Sequence, residues 1–289
     1  VAPALLIHWG EAPAKVESGV VYMSSKGIYS AVSGAMAQSS KLDTIANNLA
    51  NVNTTAFKKD RQVFSEYLSA FEKPDDSMKV PRVTASIESF YDMQGGDTSY
   101  VNPAGTFTTF SQGGLKSTGS PLDVAVDGKG FLEVMTPDGV RWTRNGALQI
   151  DNGGRLVTKE GHQVLREGQN DPAQRGVTLS GRNVTISQSG EIFDGGNNLG
   201  KLAVVEFQNP DDLQKVGNSN YALKANATSV PVVARDARFH QGYIETSNVN
   251  VVEEMTEMIS ANRVFEATQK AIQAHDQMDD KLINQVGKV

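Results

Sequence analysis

The side chains best suited to chemistry are scattered along the chain. The four histidines, His8, His162, His240 and His275, have no second ligand at metal-binding spacing, so core or surface roles are expected. Cysteine is absent, which removes disulfides, thiolate ligands and thiol nucleophiles together. Gly128-Lys129-Gly130 reads as a turn, because a phosphate-cradling loop needs a helix after it and none follows. There is no nucleophile elbow. Glu253-Glu254 and Asp279-Asp280 are paired carboxylates of the kind acid–base catalysis uses, but on a helical pattern they read as solvated faces. Lys58, Lys59 and Arg61 read the same way. Met255 and Met258, at helical spacing, are core or seam residues. No catalytic, cofactor-binding or metal site is expected.

What the chain does concentrate is helix-end and turn chemistry. Ile28, Ala35, Leu42 and Leu49 fall seven apart, and Val32, Ser39 and Ala46 fill the other seam position. This spacing lays a narrow apolar stripe along a helix predicted over 27–53. Asn47, Asn48, Asn51 and Asn53 cluster at its end, where Asn tolerates the left-handed cap conformation. The pattern returns near the C-terminus. Val251, Met258, Phe265 and Ile272 fall seven apart with Met255 between them, and Ser247, Asn248 and Asn250 stand before them as available caps. After Ile272 the stripe shifts to Met278, Leu282 and Val286.

Between the two helices the period changes to two. Residues 57–105 read as a connecting or extended arm, with one strand at Val83 to Tyr91. From 106 to 244, strands at Leu122–Val126, Gly130–Val134, Val140–Thr143, Val184–Ser187, Glu191–Phe193 and Leu202–Phe207 are separated by turns. The turns include Asp127-Gly128, Thr136-Pro137-Asp138-Gly139, Asn145-Gly146 and Asp151–Gly154. The fold class is therefore α+β, with paired terminal coiled-coil helices and a central all-β domain, sandwich- or barrel-like. The domains are 23–56 plus 245–289 (helical), 57–105 (arm) and 106–244 (β). Residues 1–22 are read as a non-native or disordered extension, with Met23-Ser24 as the natural start.

Composition narrows the partners. The 289 residues are 39% hydrophobic and 21% charged, enough for a buried core, and 27 basic against 33 acidic side chains give a net charge of −6. That argues against a general nucleic-acid binder. No run reaches the ~18 apolar residues of a membrane span, and Ala2 to Trp9 lacks the features of a secretory signal. Neither helix can bury its whole stripe on a small β domain. Pairing N-terminus with C-terminus hides one side and neighbouring copies the other, a geometry that points to a polymer. Because both seams are rich in small residues, the isolated chain is expected to be monomeric, with 27–53 and 249–286 unfolded.

The motifs carry a resemblance. Ile45 to Lys58 (IANNLANVNTTAFK) resembles the N-terminal signature of the bacterial flagellar rod and hook family. Ser111 to Val134 with Pro137 to Asp151 is similar to that family's central domain, and Glu245 to Met255 (ETSNVNVVEEM) to its C-terminal signature. The resemblance covers roughly residues 27–286. It implies a structural subunit of the flagellar basal-body rod, polymerising by its terminal helices into the hollow drive shaft that links motor to hook. The proximal-rod F type is favoured and the distal-rod G type comes next. It also implies a periplasmic location, export by the flagellar type III apparatus without a cleaved leader, and partners that are further copies and neighbouring rod or hook proteins. Assembly residues would be Val32, Ala35, Leu42, Ala46, Leu49, Val251, Met255, Met258, Phe265 and Ile272; motif residues would be Asn47, Asn48, Asn51, Asn53, Phe57, Ser247, Asn248 and Asn250. The rival readings are a surface β-domain adhesin joined by a coiled coil, and an enzyme with an unrecognised pocket.

Overall fold

A computed structural model describes residues 19–69, 98–168, 171–180 and 183–286. Of the expected extension at 1–22, residues 1–18 lie outside these, as does the expected strand at 83–91, whereas residues 19–22 already belong to a helix that starts eight residues before the expected Gly27. Two long helices bracket a β-rich region. Helix α1 spans Gly19–Ala50 and helix α2 spans Val251–Val286. No helix among the described residues is long and apolar enough to cross a membrane.

The strands in chain order are β1 (Asp60–Ser69), β2 (Thr98–Thr108), β3 (Leu115–Ser117), β4 (Val124–Asp127), β5 (Phe131–Thr136), β6 (Gly139–Thr143), β7 (Leu148–Ile150), β8 (Leu156–Thr158) and β9 (Gln163–Val164). They continue with β10 (Val184–Ile186), β11 (Glu191–Asp194), β12 (Asn197–Lys201), β13 (Val204–Glu206), β14 (Leu213–Gly217), β15 (Asn220–Leu223), β16 (Val232–Val233), β17 (Arg238–Gln241) and β18 (Tyr243–Glu245). The largest sheet runs β14-β15-β6-β5-β9-β8-β7, with β13 pairing both β5 and β16. Smaller sheets are β10-β11-β12, β17-β4, β18-β3 and the β1-β2 ribbon. The arm read at 57–105 is thus built on a paired strand at each end.

Strand β5 is the hub. Leu132 and Val134 point into one core with Val126, Leu156, Val164, Ile192 and Leu202. Phe131, on the other face, packs with Trp142, Phe207, Leu213 and Tyr221. The aromatic rings of this second core meet edge to face, with Phe131 5.6 Å from Tyr221 and Trp142 5.0 Å from Phe207, the arrangement ring quadrupoles favour. Because both faces are covered, the polar–apolar alternation of a half-solvated strand is lost in β5.

Several local readings change. The turn at Thr136–Gly139 does join β5 to β6 as a hairpin. Asn145-Gly146 does not make a hairpin, since β6 and β7 sit at different places in the sheet. Gly146 is needed instead for close passage, because a Cβ there would lie 1.6 Å from the Val124 carbonyl oxygen. Asp127-Gly128 does not fold β4 onto β5 either; β4 pairs with β17, so that Val126 faces Phe239. Helix α1 stops at Ala50, three residues before the expected end, where Asn51 bonds back through Nδ2 to the Asn47 carbonyl at 2.9 Å. None of the clustered asparagines takes the left-handed conformation. Ala56 does, with φ 57°.

By compactness the chain forms two units. Among the described residues, the first comprises 19–38, 65–69, 98–102 and 264–286; the second comprises 39–64, 103–168, 171–180 and 183–263. In the first, the Val101 amide donates to Ser33 Oγ at 3.4 Å, and Gly27 lies beside the His275 ring. The second holds both cores and the polar cluster described next.

Candidate functional site: a polar clamp joining the two end motifs

The residues that follow α1 and those that precede α2 are bonded to each other within the second unit. The Ala56 amide donates to the Glu245 carbonyl at 2.9 Å and the Asn248 amide to the Phe57 carbonyl at 3.3 Å. Asn248 then bridges three segments. Its Oδ1 accepts from the Lys59 amide at 2.7 Å, and its Nδ2 donates to the carbonyls of Thr109 and Ser111 at 2.8 and 3.1 Å. An asparagine suits this place because one planar amide offers donor and acceptor together.

Asn48 does the same one turn earlier. It is 1% exposed, accepts from the Asp60 amide at 3.0 Å, and donates to the Asp60 carbonyl at 2.8 Å and to Glu254 at 3.1 Å. It thereby ties α1 to β1 and to the first turn of α2. Asn250 caps α2, its Oδ1 accepting from the Val252 amide at 3.1 Å. Ser247 Oγ accepts from the Val249 amide at 3.3 Å. Asn51 and Asn53 stay at the helix end, half-buried and exposed respectively.

Charged groups sit beneath this amide layer. Lys58 and Glu245 are 0% exposed and form an ion pair. Lys58 Nζ also donates to the Ser111 carbonyl at 2.8 Å, and the Gly113 amide donates to Glu245 Oε1 at 2.8 Å. The Arg144 guanidinium lies 3.5 Å from Glu245 Oε2 and donates to the carbonyls of Val126 and Gly128 at 3.0 and 2.6 Å. Burial draws the Lys58 ammonium below its ordinary 10.5 despite the Glu245 carboxylate beside it. Nearby, Lys215 donates to the Lys58 carbonyl at 2.6 Å and to Asp60 Oδ2 at 2.8 Å, and lies 4.1 Å from the centre of the Phe57 ring.

These contacts correct two readings. Lys58 and Lys59 are not a solvated basic face, and Glu254 is not a solvated carboxylate. Lys59, only 14% exposed, pairs at 2.6 Å with the fully buried Glu254. Alternating charges beside a helix look the same in sequence whether they face water or each other, and the partners lie 187 residues apart for Lys58 and Glu245. Glu253 does remain exposed, at 57%. Sequence reasoning missed Glu245, Arg144 and Lys215 altogether. Glu245 lay inside the quoted C-terminal motif and Arg144 inside the quoted central one, the only signals available for them.

Lys59 also sets a pH dependence. Burial alone would lower its pKa, but the hydrogen bond and charge of Glu254, with Glu253 and Glu257, outweigh that and raise it above 10.5. A base raised on folding contributes stability that is complete below its unfolded pKa and is lost as pH rises through the folded value. Lys59→Met should therefore narrow its stability deficit against the parent only above about pH 10, read by denaturant melts across that range.

None of the assembly residues read from the heptads is fully buried in the single chain. In the helices the buried side chains are Ala37, Ile45, Asn48, Glu254 and Ala261. Val32 and Met255 are 37% and 49% exposed, and Ala46 is exposed. Ala35, Leu42, Leu49, Val251, Met258, Phe265 and Ile272 are half-buried. Other apolar side chains stand in solvent beside them: Tyr29 and Met36 on α1, and Val252 and Ile259 on α2.

A β-rich centre flanked by two long helices, with both end motifs locked to it by a buried polar clamp, defines a structural chain. The comparisons agree. Residues 28–58 match the flagella basal body rod protein family, residues 125–193 the D1 domain of the flagellar hook protein FlgE/F/G, and residues 240–285 the C-terminal region of the flagellar basal body rod FlgEFG proteins. The flagellar basal-body rod protein FlgG of Borreliella burgdorferi is 34% identical over 263 residues, covering 88% of this chain and 96% of the relative. FlgG of Bacillus subtilis is 31% identical over 271 residues, covering 90% and 98%. The rod protein FlgF of Caulobacter vibrioides is 31% identical over 268 residues, covering 91% and 98%. The chain belongs to the flagellar basal-body rod protein family, a structural family and not an enzymatic one. Both F-type and G-type relatives fit it.

Proposed function

We propose that this chain is a subunit of the flagellar basal-body rod that polymerises through its terminal helices, with the β-rich region outside them. The observation that carries the reading is the apolar surface left in solvent on both helices, from Tyr29 and Met36 to Val252 and Ile259. Large exposed apolar side chains in regular helical spacing mark a surface that another chain covers. Two contacts support antiparallel pairing of the helices within one chain. Gly27 lies beside His275 in the first unit, and Asn48 bonds Glu254 in the second.

Further copies and neighbouring rod or hook proteins are the partners, in the periplasmic part of the basal body, reached by the flagellar export apparatus. The helical division at 23–56 and 245–289, the arm at 57–105 and the β domain at 106–244 belong to the same proposal. Locating the chain in purified basal bodies by cryo-electron microscopy tests it, and finding it outside the axial structure would refute it.

The clamp also revises what the free monomer should look like. Amide exchange in dilute solution should be fast in 19–38 and 264–286, yet slow in 44–60 and 245–261, where the buried bonds lie. Uniformly slow exchange along both helices would mean that each chain already covers its own stripe.

A further inference from the structure

The clamp contains an imbalance of charge. Two cations, Lys58 and Arg144, converge on one carboxylate, Glu245, and all three are buried. Asp127 also attracts Arg144 but is 46% exposed and faces His240 at 3.5 Å, and Asp60 is engaged by Lys215 at 2.8 Å. Arg144 belongs to the β-rich region, held by the Val126 and Gly128 carbonyls. Lys58 comes from the N-terminal motif and Glu245 from the C-terminal one. Seating Lys58 against the β-rich region without Glu245 would bury two like charges together, with no buried anion between them to offset their lost hydration.

We propose that Glu245 is a docking checkpoint: residues 48–60 seat on the β-rich region only when the carboxylate of the C-terminal motif is in place. The backbone bonds reinforce the dependence, since the Ala56 amide and the Lys59 amide both find their acceptors on Glu245 and Asn248. In a chain that emerges N-terminus first, the motif after α1 therefore stays undocked until the segment 187 residues later arrives. Only a chain carrying both motifs fixes the base of either helix. A partial chain presents its α1 unanchored. This dependence is set inside one chain and holds however copies meet in a polymer.

The cations and the anion should respond unequally to substitution. Lys58→Met leaves Glu245 facing Arg144 and the Gly113 amide, a balanced arrangement. Glu245→Gln leaves Lys58 without a counter-charge and Arg144 with only the exposed Asp127. In the full-length chain, amide exchange at Ala56, Lys59 and Asp60 should accelerate roughly 100-fold in Glu245→Gln, and less than about tenfold in Lys58→Met, with β5 and β6 little changed. Adding Lys58→Met to Glu245→Gln should restore at least about tenfold protection, because it removes one stranded charge. If Glu245→Gln fails to fold while the double variant folds, the proposal stands. It is overturned if Lys58→Met is as damaging as Glu245→Gln, or if the double variant is no better protected than Glu245→Gln. It is overturned equally if both the single Glu245→Gln chain and the double variant fail to fold.

Discussion

Placing a carboxylate at Met255 or Ile259 should leave the monomer nearly as stable as the parent and abolish motility. Both side chains are about half exposed in the single chain, at 49% and 57%, so Met255→Asp or Ile259→Asp creates neither a cavity nor a buried charge there. Substitutions of this kind usually change stability by within about 0.5 kcal/mol. In a polymer the same position is desolvated in every subunit, and stranding an unpaired carboxylate in each contact costs several kcal/mol. Denaturant midpoints should coincide with the parent while swimming assays and electron micrographs show no completed rod. Leu49→Asp and Phe265→Asp should also block assembly, with some loss of monomer stability because both side chains are already half-buried. A Met255→Asp strain that swims normally would remove this face from the assembly.

Gly113→Ala should be among the most damaging single-atom additions in the chain. A Cβ at Gly113 would lie 2.0 Å from the Thr246 carbonyl oxygen and 3.2 Å from the Ser247 carbonyl carbon. Those atoms are backbone, so no side-chain rotation relieves the clash. Displacing the segment also pulls the Gly113 amide from Glu245 Oε1, now 2.8 Å away. The combined loss should be about 3 kcal/mol or more, the range for breaking a buried, hydrogen-bonded charge network. Gly34→Ala is the matched control. It lies within α1 with nothing within 4 Å of its added Cβ, and should stabilise that helix by about 0.5–1 kcal/mol. Equilibrium urea melts of both variants separate a steric effect from a general intolerance of alanine.

The elements of this fold differ in how far local pattern reveals them. The heptads gave both helices, because an amphipathic period survives whatever the helix packs against. Strands β5, β6, β10, β11 and β13 were legible, since Val, Ile and Phe cluster there between Gly and Asp turns. Strands β14, β15 and β17 were not: Gln214, Lys215 and His240 break the apolar run, and β17 pairs with the distant β4 although β14 and β15 form a local hairpin. The asparagines were recognised as special for the wrong reason. The position of Asn48 suggested a left-handed cap and that of Asn248 a helix N-cap, whereas both serve as amide bridges between segments. The charge of Lys58 and Glu254 was visible and its burial was not, because burial of a charge depends on a partner that no local window contains.

The clamp also determines where force would travel. Residues 56–59 and 245–248 are bonded directly, so the strands between them form a closed loop fastened at its neck. Tension arriving along either helix meets the neck first, in bonds that run between the two ends of the chain. Residues 60–244 lie within that closed loop, so tension along the backbone would reach their strands only once the neck opens. A subunit in a rotating shaft would then yield first at Lys58, Glu245 and Asn248, with its β core still folded.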